Sequence, residues 1–250
     1  MVEPLFRFDG SAQVGSTITL DGPEGHHAAA VRRIRVGEAV QLTDGSKQHL
    51  RGVATSVGPK SLEIKISERN QIQPDSLRFV LVQALAKGDR DELAIQAATE
   101  LGVSTVVPWQ SDRSISKWDE SKAAKNQARW QTICDEASKQ ALRPRFVEVR
   151  DRQTSKQLAA SIEYSLAANS NAAWLVLDPT AELSLSAVST SNVNELYLII
   201  GPEGGITDQE LDSFAGAGAK RVHLGSGILR TSTAGVAALA YLSGSTGVWE

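Results

Sequence analysis

Apolar and polar positions alternate in short runs over residues 1–70. Leu5–Phe8, Ser16–Leu20, Ala39–Thr43, Gly52–Val57 and Ser61–Ser67 are rich in Val, Ile, Thr and Leu, and each predicts a strand. Asp9-Gly10, Asp44-Gly45 and Gly58-Pro59 punctuate them as turns. One helical stretch, about Gly25 to Ile34, interrupts the series, so the expectation is a small β-barrel. The polar run Glu68–Asp75 reads as a linker.

From about Ser76 the period changes. Leu77–Leu85, Ser104–Pro108, Phe146–Val149, Ala173–Leu177, Leu196–Ile200 and Arg221–Leu224 read as strands. Between them Asp89–Leu101, Glu120–Leu142, Thr154–Ala168, Thr207–Ala217 and Thr231–Ser243 read as helices. Gly102 and Pro144 supply stops, and Thr207 with Glu210 forms a capping box. Strands that look buried on both faces, alternating with helices, indicate a parallel sheet covered on both sides. The expected division is 1–73, a β-barrel, and 74–250, an α/β domain.

Composition narrows the class. The chain has 250 residues, 41% hydrophobic and 22% charged, which is globular and not disordered. No apolar run approaches the roughly 18 residues of a membrane span. The N-terminus lacks a basic segment followed by an apolar one, so a cytoplasmic location is expected. Cys134 is the only cysteine, which rules out an internal disulfide or a cysteine metal cluster. His26 and His27 are adjacent, and His49 and His223 do not complete a zinc spacing, so no metal is expected.

The net charge of -3 hides an asymmetry: residues 1–152 hold 22 of the 26 Lys and Arg. A nucleic acid would meet that portion, although a solvated mixed-charge surface accounts for the charges as well.

Two glycine-bearing segments each follow a strand and precede a helix. They are Leu198–Thr207, carrying Gly201-Pro202-Glu203-Gly204-Gly205, and Val222–Ala234, carrying Leu224-Gly225-Ser226-Gly227-Ile228-Leu229-Arg230. In open α/β sheets ligands bind beyond the carboxyl ends of strands, and two such loops from neighbouring strands would form one pocket. Neither loop is a dinucleotide fingerprint. The first strand-to-helix turn, Leu85–Arg90, has a single glycine, Leu224–Leu229 lacks the third glycine of G-x-G-x-x-G, and no Walker A sequence occurs.

The two glycine segments together are similar to the paired motifs of the RsmE family, the ribosomal RNA small subunit methyltransferases E of the SPOUT superfamily. Further segments match in the same order. They are Glu24-Gly-His-His, Val31-Arg-Arg with Val36-Gly37, Gln83–Arg90, Ala98–Pro108, Ser111–Ser114 and Glu136-Ala-x-x-Gln-x-x-Arg143. The resemblance covers nearly the whole chain. It implies a PUA-like barrel followed by a SPOUT domain with a trefoil-knotted parallel sheet. It also implies a homodimer and methyl transfer from S-adenosylmethionine to a uracil N3, position 1498 of 16S ribosomal RNA in reference numbering.

On that resemblance, backbone and small side chains at Gly201, Pro202, Gly204, Gly205, Leu224, Gly225, Ile228, Thr231, Thr233 and Ala234 are expected to hold the cofactor. Leu177, Ile200 and Leu229 are expected to enclose its adenine. Arg230 is expected to stabilise a developing uracil oxyanion, its alternative being a surface ion pair. The expected RNA contacts are Arg7, His26, His27, Arg32, Arg33, Lys87, Arg90, Arg113 and Arg143. For Arg32, Arg33, Lys87 and Arg90 the alternative is a solvated face, and for Arg143 an internal network with Glu100 and Gln140. Glu203 reads as an anion at the start of the following helix and not as a catalytic group. The family usually has Arg where Gly227 stands, often Glu where Ser232 stands, and commonly an apolar residue where Arg32 stands. Two rival readings remain: a SPOUT enzyme acting on another RNA, and a non-catalytic ribosome-assembly protein.

Overall fold

The structure is a computed structural model and describes residues 2–249. Contacts divide it into two units, residues 1–74 with 138–146, and residues 75–137 with 147–250.

The first unit carries a five-stranded sheet. Its strands are β1 (Leu5–Arg7), β2 (Thr17–Leu20), β3 (Ala39–Thr43), β4 (Gln48–Val57) and β5 (Leu62–Gln71), in the order β1-β3-β4-β5-β2. All pairs are antiparallel except β1 with β3. Along β5 the alternation puts Leu62, Ile64 and Ile66 into a core with Phe6, Leu42 and Leu50. The polar run from Glu68 is not wholly a linker. Glu68–Gln71 continue β5, because their backbone groups pair with Gln48–Arg51 of β4 while their side chains stay exposed. Between β2 and β3 the helical stretch is short: α1 (Gly22–His26) opens into a π-helical turn, His27–Val31. Arg33 follows it in the left-handed region at φ 56°.

Residues 138–146 also pack within this unit. The Thr43 hydroxyl donates to the Pro144 carbonyl at 2.6 Å, and the Phe146 N–H donates to the Gly45 carbonyl at 2.8 Å. Lys139, whose side chain is only 6% exposed, pairs with Glu24 at 2.7 Å, so its buried charge is neutralised.

The second unit holds a parallel sheet. Its strands are β6 (Arg78–Ala84), β7 (Thr105–Gln110), β8 (Glu148–Val149), β9 (Gln153–Thr154), β10 (Ala172–Leu177), β11 (Glu195–Ile200) and β12 (Lys220–Val222). The order is β12-β10-β11-β6-β7-β8, with β9 also on β7. The helices are α2 (Arg90–Glu100), α3 (Glu120–Gln140), α4 (Ser155–Ala168), α5 (Asp208–Gly216) and α6 (Thr231–Ser245). The middles of β6 and β11 are apolar because both faces of the sheet are covered: Leu81, Leu198 and Ile200 belong to one cluster, Val80, Val82 and Ile199 to another.

Helix starts follow the sequence signals. Thr154 and Thr207 each cap a helix in a reciprocal box with Gln157 and Glu210. Glu210 does more than cap. It is 2% exposed, and its carboxylate also accepts from the Asp112 N–H at 2.9 Å and the Ser155 hydroxyl at 2.6 Å. Burial pushes that carboxyl up, but these hydrogen bonds outweigh burial and hold it below the usual range.

Candidate cofactor pocket

The sheet register sets the site. Leu177 pairs with Val222, Val176 with Ile199, and Ile200 with Gln83, so β6, β10, β11 and β12 end along one edge. The two glycine loops leave from this edge, but they do not come from neighbouring strands. β10 lies between β11 and β12. The pocket therefore has a third wall, from Leu177 through Asp178 to Pro179, that adjacency of the glycine motifs does not suggest.

The pocket is about 400 Å³. Of the residues expected to hold a cofactor, Leu177, Ile200, Gly201, Pro202, Gly205, Leu224, Gly225, Ile228, Leu229, Thr231 and Ala234 line it. Gly204 and Thr233 do not. The Gly204 carbonyl instead accepts from the Arg113 guanidinium at 3.1 Å, and Thr233 is exposed in the first turn of α6. Gly201 is required by close approach: a Cβ there would meet Ile206 Cγ1 at 2.7 Å. Gly205 is required by its φ of +74°.

Behind the pocket, the Gln83 side-chain amide donates to the Thr231 hydroxyl at 2.9 Å, fixing the start of α6 against β6. Arg230 is the N-cap residue of that helix and lines the pocket mouth, exposed. It makes no ion pair among the described residues, so the surface-pair alternative finds no acidic partner there.

The charged groups in the wall have settled states. Asp178 is 6% exposed. Its two oxygens accept from the Thr180 N–H and hydroxyl at 2.9 and 2.8 Å and from the Arg221 guanidinium at 2.6 and 2.8 Å. Burial raises this carboxyl, but the Thr180 and Arg221 contacts outweigh burial, hold it below the usual carboxylate range and keep it ionised. With four donors on two oxygens, Asp178 shapes the wall and has little capacity left for a ligand. The chain supplied one signal for it: an apolar strand ending in Asp-Pro at the carboxyl edge.

Glu203 does not serve the helix that follows it. Its Oε1 accepts from the Arg90 guanidinium, at the start of α2, at 2.7 Å and from the Lys87 N–H, in the loop after β6, at 3.0 Å. Burial raises the Glu203 carboxyl, and these contacts with its own backbone N–H reverse that shift. Thus Arg90 and Arg113 brace the first glycine loop, whereas the Lys87 side chain is exposed.

The remaining expected RNA contacts lie in the first unit. Arg7 pairs with Asp9 at 3.0 Å and sits 5.8 Å from the Phe146 ring centroid. His26 is exposed, and His27 is half-buried with its ring edge-on to Phe6 at 6.0 Å. Arg32 and Arg33 are exposed. Arg143 and Gln140 fall in the 138–146 segment, whereas Glu100 is on α2 in the other unit. No group of three or more His, Cys, Asp or Glu among the described residues is arranged to hold a metal ion.

A parallel sheet with two glycine loops lining a pocket of about 400 Å³ at the carboxyl ends of its strands has the place and size of a nucleoside site. A family model described as an RNA methyltransferase domain matches residues 73–243, and an RNA methyltransferase PUA domain matches residues 20–67. The chain is 36% identical to ribosomal RNA small subunit methyltransferase E of Mycobacterium tuberculosis, over 100% of this chain and 95% of that one. It is 29% identical to the Bacillus subtilis protein of that name, over 92% and 91%. Among solved structures it resembles the Neisseria gonorrhoeae enzyme of that name bound to S-adenosylmethionine. The TM-score is 0.86, identity 28%, and coverage 97% of this chain and 98% of that one. A putative methyltransferase of Legionella pneumophila with the same bound cofactor gives a TM-score of 0.84 at 27% identity, covering 98% of each chain. The chain belongs to the ribosomal RNA small subunit methyltransferase E family, with a PUA-like barrel ahead of a SPOUT-type parallel sheet.

Proposed function

We propose that this protein transfers a methyl group from S-adenosylmethionine to N3 of a uracil, position 1498 in reference numbering, of 16S ribosomal RNA in the small subunit. The observation that carries the reading is the pocket built from both glycine loops, with Arg230 at its mouth. Its chemistry suits the cofactor. Leu177, Ile200 and Leu229 offer apolar walls to adenine, and the loops bring backbone groups within reach of its polar edge. The bound cofactor supplies an electrophilic methyl on a sulfonium.

Uracil N3 carries a proton and is a poor nucleophile until that proton leaves. Its loss puts negative charge on the flanking carbonyl oxygens. A guanidinium beside them stabilises that charge through charge-assisted hydrogen bonds, and this is the role assigned to Arg230. The N-terminus of α6, which begins at Thr231, adds its positive dipole end to the same region.

RNA is held by exposed cations. Arg32 and Arg33 on the barrel and Lys87 near the pocket supply phosphate contacts. The protein works as a homodimer in the cytoplasm. The dimer reading is supported by apolar side chains left exposed around α6: Ile228 at 81%, Trp249 at 55% and Tyr241 at 42%.

The test is methyl transfer from labelled S-adenosylmethionine to small subunits from cells lacking the modification, followed by nucleoside identification. Label in 3-methyluridine is expected. Cofactor binding without label would shift the substrate to another RNA, and no cofactor binding would leave only an RNA-binding or assembly role.

A further inference from the structure

The Gly201–Gly205 loop is held from outside by two arginines, one at the start of α2 and one in the loop after β7. Arg90, after β6, reaches Glu203 at 2.7 Å, and Arg113, after β7, reaches the Gly204 carbonyl at 3.1 Å. The Lys87 N–H donates to the same Glu203 oxygen at 3.0 Å. Arg90 and Glu203 themselves form part of the pocket wall, beside Gly201 and Gly205. The Arg90 side chain is 45% exposed and that of Glu203 22%, so the pair is neither fully solvated nor buried.

We propose that Glu203 is a positioning residue for the cofactor pocket, acting through Arg90 and the Lys87 N–H. The inference rests on the reading of this pocket as the S-adenosylmethionine site. Its physical content is preorganisation. The loop must hold its backbone groups in place before the ligand arrives, and any ordering left to the binding step weakens affinity. The glycines set the inner contour of the loop, but glycines resist no motion. The carboxylate supplies the missing restraint, because one oxygen ties the loop to two points of its neighbour. The Lys87 side chain extends from the same neighbour, so the brace also fixes the backbone from which an RNA-facing cation projects.

The magnitudes separate the two contacts. An ion pair this exposed contributes modestly, and Glu203→Gln removes the charge while leaving an acceptor for the Lys87 N–H. It is expected to raise the Kd for S-adenosylmethionine about threefold. Glu203→Ala removes both contacts and is expected to raise it about tenfold. The catalytic rate at saturating cofactor and RNA is expected to stay within about twofold, since binding and not transition-state charge is affected. Exchanging the pair, Arg90→Glu with Glu203→Arg, is expected to recover part of the loss shown by Arg90→Glu alone.

The experiment is calorimetric titration of S-adenosylmethionine into the full chain and each variant, with the KM for cofactor and kcat measured in parallel. Thermal unfolding without cofactor serves as the fold control. If the wild-type chain fails to bind S-adenosylmethionine, the assignment of the pocket is wrong. If the wild type binds and all Glu203 variants bind equally well, only the positioning role is wrong. A fall in kcat with unchanged Kd would also overturn it, in favour of a catalytic Glu203. Should Glu203→Ala not fold, Glu203→Gln and the exchanged pair decide the question.

Discussion

The two glycine loops face the same pocket and are built on opposite plans. The first, Gly201–Gly205, is closed in: Ile206 lies 2.7 Å from the position of a Gly201 Cβ, and Arg113 Cβ lies 3.2 Å from that of a Gly204 Cβ. Two arginines and a carboxylate tie it to adjacent loops. The second, Gly225–Arg230, is open. All six of its residues are exposed, and a Cβ at Gly225 or Gly227 would have no neighbour within 4 Å. One loop is shaped before the ligand arrives. The other presents backbone and an unpaired arginine to whatever enters the mouth. Both loops line the pocket, but the fixed contour is assigned to the first and the charge for chemistry to the second, and each assignment can be broken separately.

The largest effect is expected on the open side. Arg230→Ala removes the group assigned to the uracil oxyanion, and loss of one such donor lowers kcat by about 10²–10³. Because Arg230 makes no ion pair among the described residues and is exposed, its removal should leave the melting temperature and the cofactor Kd nearly unchanged. Single-turnover transfer at saturating cofactor and RNA reads this directly. A wild-type rate would remove Arg230 from the chemistry.

On the closed side the expected loss is in affinity. Gly201→Ala places a methyl group against Ile206 Cγ1, so this pocket-lining side chain or the loop must shift. Overpacking of this kind costs about 1–3 kcal/mol, or about tenfold in cofactor Kd near the low end. Calorimetric titration checks it. Unchanged affinity would show that Ile206 relaxes away from the pocket and that the contour of the loop is less restrictive than its contacts imply.

The chain announces most of this architecture. The change from period two to alternating strands and helices at about Ser76 marks the sheet, and the box at Thr207 marks a helix start. The two glycine segments after apolar strands mark the carboxyl edge where the pocket lies, and the resemblance supplies the individual residues, eleven of which line it. What stays hidden is long-range. Nothing local tells that β10 pairs between β11 and β12, so Asp178 and Pro179 are missed. The knot implied by the family resemblance is likewise a property of how the whole chain passes, which no period encodes. Glu203 illustrates the same limit: its nearest helix in sequence is α5, but its partners are more than a hundred positions upstream, at Lys87 and Arg90. The polar strand end Glu68–Gln71 fails for another reason. Its pairing depends on backbone groups, which composition does not report.

The smallest expected effect sharpens the contrast most. The surroundings of Gly227 leave room for a side chain. Unlike Gly205, it has no positive φ to forbid one. Gly227→Ala therefore meets neither a clash nor backbone strain, and it reduces the freedom of the unfolded chain. A gain in stability of about 0.4–1 kcal/mol is expected, with cofactor Kd and kcat within about twofold of wild type. Urea unfolding and the same titration test both parts. If this methyl group lowers affinity as much as the one at Gly201 does, the second loop closes on the cofactor as tightly as the first. If it is silent, the loop's work is carried by Arg230 and by backbone alone.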